Sequence, residues 1–418
     1  MKILVIGSGG REHALIWKLN ACDSVSRLYC APGNPGIAEI AECVPIEADQ
    51  IENLKDFALE NQMDMTIVGP EVPLTEGVVD TFRQNGLRII GPDRNAAQLE
   101  ASKSYAKDFM IKYEIPTARY KKAFTKTEAL RELQSFSLPV VIKADGLAAG
   151  KGVLICETEK EAVAAVEDIL VHQVFGEAGS HLVIEEFLTG IETSVLCFVD
   201  GESIVPMVNA QDHKRIGDGD TGPNTGGMGT YSPNRIYTDS IAYEVDQKIL
   251  KPTLRGIQLE KMDYRGILFI GLMITSEGPK VLEYNVRFGD PETQVVIPRL
   301  KTDLCAIFNQ MLDRNLSNLP IEWYEETAVC VVLASGGYPG SYETGHEITG
   351  IANVPEDVLV FHAGTRMTKE GTLVTSGGRV LGVTALADTV EAARAKAYKA
   401  VEQIEFRGKV FRKDIGIT

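Results

Sequence analysis

The first hundred residues alternate short apolar runs with stretches of helical periodicity, and this alternation limits the possible folds more than any other feature. The apolar runs are residues 2–6, 27–30, 65–68 and 87–90, and the helical stretches between them are residues 12–19, 51–60 and 78–83. Strands that alternate with helices predict a parallel sheet covered by helices on both faces. Ligands of such sheets bind at the carboxyl ends of the strands.

Glycine-rich loops follow several of these strands, and the first one, Gly7-Ser-Gly-Gly10, resembles a dinucleotide-binding turn. The third glycine of that fingerprint is replaced by Glu12, and the second strand ends in Cys30-Ala31-Pro32 without an acidic residue for a ribose hydroxyl. A nicotinamide-dependent oxidoreductase is therefore disfavoured. A loop that allows close backbone approach, followed by a helix N-terminus, still favours an anion site at Gly9 and Gly10, with a simple tight turn as the alternative.

From about residue 101 the pattern changes to a small α+β unit. It predicts a helix at 101–112, two strands at 138–143 and 152–156, a helix at 158–170 and a strand at 181–187. The loop between the first two strands, which Lys143 and Gly152 bound, is not a P-loop, because its glycine spacing is wrong and a strand follows it. It suits a lid over polyphosphate, and an ordinary hairpin is the alternative. The last strand could line a nucleobase slot, although a plain structural strand is the simpler interpretation.

The rest of the chain contains a longer strand-rich segment and a third unit. Strands are predicted at 194–199, 266–275 and 280–284, with a long, polar, glycine-dense loop at 210–230 that is either a substrate loop or disordered. The third unit has strands near 328–334, 358–362 and 379–384 and a helix at 388–404.

The stretch that carries the most chemistry runs from Val281 to Glu292. A strand period of two places Glu283, Asn285 and Arg287 on one face. A carboxylate, an amide oxygen and a guanidinium side by side form a hard-cation site beside an anion clamp. Three such residues would be costly to bury for structure alone, so the pattern favours a functional site.

Charge and cysteine usage exclude several classes of protein. The 42 basic and 58 acidic residues give a net charge of −16, which repels polynucleotide backbones. The seven cysteines are odd in number and lie mostly in apolar stretches, which is typical of reduced core residues in a cytoplasmic protein. The longest apolar run, residues 266–274, is half of a membrane span, and no apolar leader precedes the first strand.

Taken together, these residues resemble the ATP-grasp superfamily, and within it the family of ligases that join glycine to 5-phosphoribosylamine. The resemblance covers nearly the whole chain and rests on five segments: Arg287-Phe-Gly-Asp-Pro-Glu-Thr-Gln294, Gly9-Gly-Arg-Glu-His-Ala14, Gly69-Pro-Glu-Val-Pro-Leu74, the loop at 211–229 and Arg412-Lys-Asp-Ile-Gly416. It implies an α/β and α+β multidomain fold: an N-terminal parallel α/β domain at 1–101 that binds the phosphoribosyl substrate, an ATP-grasp domain at 102–325 with a lid at about 120–190, and a C-terminal α+β domain at 326–418.

The implied reaction belongs to purine biosynthesis. ATP phosphorylates the glycine carboxylate, and the amine of 5-phosphoribosylamine attacks the resulting acyl phosphate to give glycinamide ribonucleotide, ADP and phosphate. The implied cofactors are ATP and Mg²⁺ (or Mn²⁺), and the partners are the two small-molecule substrates, with no nucleic acid and no membrane. A cytoplasmic monomer or weak homodimer is expected.

The resemblance also assigns residues. The catalytic set is Arg287, Lys143 and Asp212. The ATP contacts are Lys103 and Lys143 with the loop residues Gly150, Lys151 and Gly152 for the phosphates, Glu185, Glu186 and Leu188 for adenine, and Glu192 for the ribose. The substrate contacts are Gly9, Gly10, Glu71, Asp212, Lys214, Arg287 and Asp290. Glu283 and Asn285 are the metal ligands.

One position departs from the superfamily pattern. Many members carry a second metal carboxylate about twelve residues before Glu283, where this chain has Gly271. We therefore expect the metal to be held mainly through phosphate oxygens, as is usual for Mg²⁺. Two alternatives remain open: an ATP-grasp enzyme that uses formate or bicarbonate, and a nucleotide sensor without turnover.

Overall fold

The computed structural model describes residues 1–148 and 152–417. The N-terminal part is the predicted parallel sheet, with strand order β5-β4-β1-β2-β3. Its strands are Lys2–Gly7 (β1), Arg27–Pro32 (β2), Glu42–Cys43 (β3), Met65–Val68 (β4) and Ile89–Pro92 (β5). Its helices are Gly10–Asn20 (α1), Ile51–Glu60 (α2), Glu71–Glu76 (α3), Val78–Gln84 (α4) and Arg94–Ala101 (α5). The predicted bounds of α2 and β4 coincide with those observed.

Both faces of this sheet are buried. Leu4 and Ile6 of β1 face one hydrophobic cluster, and Ile3 and Val5 face a second cluster on the other side. This is the burial that a parallel sheet between two helical layers requires. The packing leaves the carboxyl ends of the strands, with their glycine-rich loops, at one edge.

The second part is a four-stranded antiparallel sheet with its helices. Its elements are Lys103–Lys112 (α6), Tyr120–Ala123 (β6), Lys126–Leu133 (α7), Val140–Ala144 (β7), Val153–Cys156 (β8), Glu159–Leu170 (α8) and Leu182–Glu186 (β9). The strand order is β6-β9-β7-β8. The helix predicted at 101–112 is confirmed as α6, but its start is Lys103, because α5 ends at Ala101 and Ser102 caps α6 by accepting from the Tyr105 N–H at 3.1 Å.

The central strands extend the N-terminal sheet. Between 191 and 285 the chain forms Ile191–Val199 (β10), Ile204–Pro206 (β11), Gln211–Asp212 (β12), Arg215–Gly217 (β13), Thr221–Asn224 (β14), Gly229–Ser232 (β15), Asp239–Val245 (α9), Lys251–Leu259 (α10), Tyr264–Thr275 (β16) and Gly278–Asn285 (β17). β16 pairs with β10, with β17 and, through Tyr264 and Arg265, with β5. A nine-stranded sheet results.

The prediction of a long loop at 210–230 is wrong. The segment contains four short strands; β13 and β14 pair with each other, and β15 pairs with β12 and with a strand about a hundred residues later. Its glycines and polar residues carry no local strand signal, because the pairing partner that satisfies their backbone groups is distant in sequence.

The remaining elements are Thr293–Val296 (α11), Leu304–Leu312 (α12), Thr327–Ala334 (β18), Val358–His362 (β19), Thr365–Met367 (β20), Leu373–Thr375 (β21), Arg379–Ala387 (β22) and Val390–Val401 (α13). The C-terminal part is a second antiparallel sheet with order β12-β15-β18-β22-β19. Apolar residues of α13 pack on β18 and β22 in one core.

The predicted fold class is confirmed, whereas the residue limits of the three domains stay a prediction. In the part of the chain that the structure describes, no helix combines the length and the apolar character needed to cross a membrane.

Candidate active site

The centre of the candidate site is the end of β17, where Glu283 and Asn285 lie. Glu283 pairs with Gly271 of β16, and a Cβ added to Gly271 would lie 3.2 Å from the Glu283 Cγ. The position of the expected second carboxylate is therefore directly beside Glu283, and in this chain a glycine leaves that space to the Glu283 side chain. One carboxylate and one amide oxygen are the protein's own hard-cation donors on this strand.

Three lysines from distant parts of the chain act on Glu283. The Lys214 Nζ lies 3.6 Å from the Glu283 Oε1. Burial alone would raise the pKa of Glu283, but the charges of Lys214, Lys143 and Lys103 lower it to about 2. Glu283 is thus ionised at neutral pH and set among cations, which is what a shared site for a metal and phosphate groups needs.

Lys103 and Lys143 are two of the lysines predicted to contact the ATP phosphates. Lys103 is held by the loop after β7, and Lys143 is held by β9. The Lys103 Nζ donates to the Gly146 carbonyl at 2.9 Å, and burial lowers the pKa of Lys103 below its usual range. The Lys143 Nζ lies 2.9 Å from the Glu185 Oε1, and Lys107, which the sequence did not single out, lies 3.0 Å from the other oxygen of Glu185. A buried carboxylate between two lysines orients both ammonium groups.

Arg287 lies two residues beyond the end of β17, so the prediction that it belongs to the strand is wrong. The chain leaves the sheet after Asn285 to form the turn around Phe288. The guanidinium nevertheless remains beside the strand face: its Nη2 lies 3.4 Å from the Asn285 Oδ1, and its Nη1 donates to the Phe288 carbonyl at 3.1 Å.

Two carboxylates from the N-terminal part hold the same guanidinium. The Arg287 Nε lies 3.0 Å from the Glu71 Oε2, and the Nη2 lies 3.0 Å from the Glu100 Oε1. Burial alone would raise the pKa of Glu71, but Arg287 and Arg11 lower it. Burial raises the pKa of Glu100 to about 7, although Arg287 acts in the opposite direction. Glu71, predicted to bind a ribose, is thus also a partner of Arg287.

Asp212 is the last residue of β12, Lys214 lies between β12 and β13, and both are half-buried beside two further carboxylates. The Asp212 Oδ1 is buried and has no hydrogen-bond partner among the described residues. Burial, and next the charge of Glu292, raise the pKa of Asp212 well above its usual range. The Lys214 Nζ lies 3.5 Å from the Glu192 Oε2, and this carboxylate raises the pKa of Lys214.

Asp290 connects this region to the C-terminal sheet. Its Oδ1 accepts from the Gln294 Nε2 at 2.9 Å, and its Oδ2 lies 3.4 Å from the Arg379 Nη2. Arg379 also donates to the Gly226 carbonyl at 2.6 Å and to the Asp290 carbonyl at 2.8 Å. Arg379 thus fixes the polar segment around Gly226 against the turn that carries Asp290.

The N-terminus of α1 contains Gly9 and Gly10. The Gly9 N–H donates to the Glu12 Oε2 at 2.6 Å, so this donor is already occupied by a carboxylate of the same helix. A Cβ added to Gly9 would lie 3.5 Å from the Asp290 Oδ2, and one added to Gly10 would lie 2.7 Å from the Gln294 Nε2. The two glycines therefore lie next to the Asp290 turn, which places the two groups of predicted substrate contacts together.

The antiparallel sheet of β6 to β9 and its neighbouring loops carry the remaining predicted ATP contacts. A Cβ added to Gly152 would lie 2.7 Å from the Ala148 Cβ, so the loop closes too tightly there for a larger residue. The predictions for Gly150 and Lys151 fall outside the described residues. The Glu186 Oε1 accepts from the Arg119 N–H at 2.9 Å, and Leu188 packs with Ala118 and Met273 in a small apolar cluster.

Four charged residues of the site were not assigned by sequence reasoning. They are Glu100, Lys107, Glu292 and Arg379. Glu292 lies inside the octapeptide 287–294, so its position within that motif was an available signal. The other three lie in segments without a motif, and only the fold brings them to the site.

Comparisons with known proteins extend over nearly the whole chain. Residues 1–100, 101–293 and 328–418 match the family models of the phosphoribosylglycinamide synthetase N domain, ATP-grasp (A) domain and C domain, respectively. A phosphoribosylamine–glycine ligase of Caldanaerobacter subterraneus is 51% identical over 415 residues, which is 99% of both chains. One of Escherichia coli O157:H7 is 50% identical over 421 residues, which is 100% of this chain and 98% of that protein.

Solved structures give the same result. The crystal structure of a phosphoribosylamine–glycine ligase from Thermotoga maritima superposes with a TM-score of 0.87 at 37% identity, covering 99% of this chain and 100% of that one. A biotin carboxylase from Campylobacter jejuni shares the fold, with a TM-score of 0.74 at 15% identity over 100% of this chain and 94% of that one. With three domain models matched in order and relatives of about half identity over the full length, the chain belongs to the phosphoribosylglycinamide synthetase family, whose central domain is an ATP-grasp domain.

Proposed function

We propose that this chain is an ATP-dependent ligase that joins the carboxyl group of glycine to the amine of 5-phosphoribosylamine, giving glycinamide ribonucleotide, ADP and phosphate. The observation that carries the proposal is the uninterrupted match to relatives named phosphoribosylamine–glycine ligase over 99% of the chain or more, at 51% and 50% identity. A match of this extent includes the polar segment at 211–229 and the octapeptide 287–294, where the candidate substrate contacts lie.

The cations around Glu283 support the first chemical step. In that step an oxygen of the glycine carboxylate attacks the terminal phosphoryl group of ATP, a P–O bond breaks, and glycyl phosphate and ADP result. Phosphoryl transfer depends on positioning and on fixed positive charge near the phosphoryl oxygens. Lys103, Lys143 and Arg287 supply that charge, because all three act electrostatically on the same carboxylate, Glu283.

A divalent metal belongs to this step as well. The oxygens of Glu283 and Asn285 are the donor types that Mg²⁺ or Mn²⁺ prefers, and the ionised state of Glu283 fits such an ion. When bound, the ion neutralises charge on the phosphate oxygens. With only these two protein donors on β17, most of its shell would come from phosphate and water, and we propose Mg²⁺ as the ordinary metal.

Asp212 supports the second step. The amine of phosphoribosylamine attacks the glycyl carbonyl carbon, a C–N bond forms, the C–O bond to phosphate breaks, and the nitrogen must release a proton. A carboxylate whose Oδ1 is buried without a hydrogen-bond partner in the described part of the chain, and whose pKa is raised, is suited to hold a substrate amine and accept that proton. Both substrates contain an amine. Lys214 and Asp290, which are also predicted substrate contacts, belong to the same charged region as Asp212.

The phosphoribosyl group is proposed to bind at the N-terminus of α1. The backbone N–H groups of Gly10 and its successors begin the helix there, and the dipole of α1 favours an anion. Glu71, beside Arg287, is within the same region and keeps its proposed contact with the ribose. The adenine would lie on the antiparallel sheet near Glu185, Glu186 and Leu188, with Glu192 toward its ribose.

The test is ADP release measured in parallel with glycine, formate and bicarbonate, each with and without freshly generated phosphoribosylamine. The proposal requires ADP release that depends on glycine and phosphoribosylamine together. ADP release with formate or bicarbonate instead would identify a different ATP-grasp enzyme, and ATP binding without turnover under all conditions would identify a sensor.

A further inference from the structure

Three metal-ligating side chains meet where the end of α1 approaches the start of α12. Cys22 lies just beyond the last residue of α1, Asp303 is the N-cap of α12, and Cys305 is the second residue of α12. One donor atom of each, two thiol sulfurs and a carboxylate oxygen, lies within 4.8 Å of both others. In the described part of the chain this is the only group of three or more such ligands.

The fold holds these residues in place independently of any ion. Cys22 is 5% and Cys305 is 1% exposed, and both belong to the hydrophobic cluster under the parallel sheet. The Asp303 Oδ1 accepts from the Ala306 N–H at 2.7 Å, which fixes the carboxylate at the start of α12. Asp303 is exposed, so the group has two buried sulfurs and one side open to solvent.

We propose that Cys22, Cys305 and Asp303 form a binding site for one thiophilic divalent cation of the Zn²⁺ class, separate from the metal of the ATP site. Two thiolates and a carboxylate are donors that Zn²⁺ prefers, whereas Mg²⁺ prefers oxygen alone. Water at the open side would complete a four-coordinate shell. The ion would join α1 to α12, two helices that lie almost three hundred residues apart in sequence.

The separation of the donor atoms fits this ion. Zn–S bonds of about 2.3 Å and Zn–O bonds of about 2.0–2.2 Å place tetrahedral donors roughly 3.5–3.8 Å apart. Donor atoms separated by the full 4.8 Å would therefore have to approach one another by roughly 1.0–1.3 Å. A rotation about the side-chain bonds of cysteine or aspartate covers that distance without movement of either helix.

The experiment uses the full-length protein, reduced and freed of metal with a chelator, and kept under nitrogen. Zn²⁺ is titrated by calorimetry, and Cd²⁺ is titrated by the near-ultraviolet charge-transfer band that only thiolate–Cd²⁺ bonds produce. We expect one Zn²⁺ per chain and a Cd²⁺ band that saturates at one equivalent. Cys22→Ser and Cys305→Ser should each abolish the band and weaken Zn²⁺ by about 100-fold or more, since loss of a mere outer-shell partner already costs 10- to 100-fold.

Two further variants keep the result interpretable. Asp303→Asn retains the helix cap, because Asn caps as well as Asp, but removes the charged ligand, so Zn²⁺ affinity should fall while the melting temperature without metal is unchanged. Cys43→Ser, at a half-buried cysteine outside the group, should leave Zn²⁺ binding intact. No Zn²⁺ binding by the wild-type protein, or binding that persists unchanged in Cys22→Ser and Cys305→Ser, would overturn the proposal.

Discussion

Replacement of Arg287 by lysine tests the electrostatic centre of the site, because it keeps the charge and removes the fork of donors. The guanidinium contacts Glu71 and Glu100, each at 3.0 Å, and also the Phe288 carbonyl and the Asn285 amide oxygen. A lysine ammonium is a single point of charge on a flexible stem and cannot reach both carboxylates in this planar arrangement. At least one charge-assisted contact is therefore lost, and the remaining charge is no longer fixed beside Asn285.

The magnitude follows from that loss. A hydrogen bond to a charged group contributes about 1.5–3 kcal/mol, and each 1.4 kcal/mol is a factor of ten. If the contact positions charge for the transition state, kcat/KM should fall by about 10- to 100-fold, mainly through kcat. Part of the same loss also lowers stability, since the buried carboxylate of Glu100 loses a partner.

The assay is steady-state ADP release with glycine and phosphoribosylamine varied separately, together with a thermal melt of each variant. Arg83→Lys is the matched control: Arg83 is 16% exposed against 17% for Arg287 and likewise bridges a carboxylate, that of Asp263, and a carbonyl, that of Gly91. The control should lower the melting temperature and leave kcat intact. If Arg287→Lys behaves like the control, with kcat and KM near those of the wild type, Arg287 is structural and the reasoning fails.

Three other substitutions have defined outcomes. Glu283→Gln should raise the activation barrier for ADP release by several kcal/mol and raise the Mg²⁺ concentration needed for activity. An unchanged Mg²⁺ titration would remove Glu283 from the metal site. Asp212→Asn should raise the melting temperature, because an unpartnered buried carboxylate is relieved, yet lower kcat; a normal kcat would exclude Asp212 as the proton acceptor. Glu100 has its pKa raised from 4.5 to about 7, so the folded chain binds a proton that the unfolded chain has released, and the free energy of unfolding should fall as pH rises through that window. Glu100→Gln should flatten this dependence in urea unfolding at several pH values, and an unaltered slope would refute the assignment.

The sequence predicted the regular parts of the fold well, for a physical reason. Strands and helices such as β4 and α2 are encoded by local periodicity, so their predicted bounds coincide with the observed ones. The segment at 210–230 failed, because its strands are stabilised by distant partners rather than by their own composition. The predicted start of α6 was too early, although Ser102, a serine before a helix, is a recognisable cap signal.

The candidate site shows the same division. Glu283, Asn285 and Arg287 lie close together, as a strand period of two suggests, even though Arg287 has already left the strand. The partners that fix their charge states, Glu100 and Arg379, come from elements that the fold alone brings to this edge. Side chains within a motif could thus be found from sequence, whereas the carboxylates and guanidinium that orient them could not.

The most direct test of the proposed chemistry follows the oxygen atoms of glycine. Glycine labelled with oxygen-18 in its carboxylate is incubated with the enzyme, ATP, Mg²⁺ and phosphoribosylamine, and the released phosphate is analysed by mass spectrometry. An acyl phosphate intermediate requires that one labelled oxygen enters each phosphate, because the oxygen that attacks ATP leaves with the phosphoryl group. Phosphate without label, formed alongside glycinamide ribonucleotide, would contradict the mechanism that the site is proposed to perform.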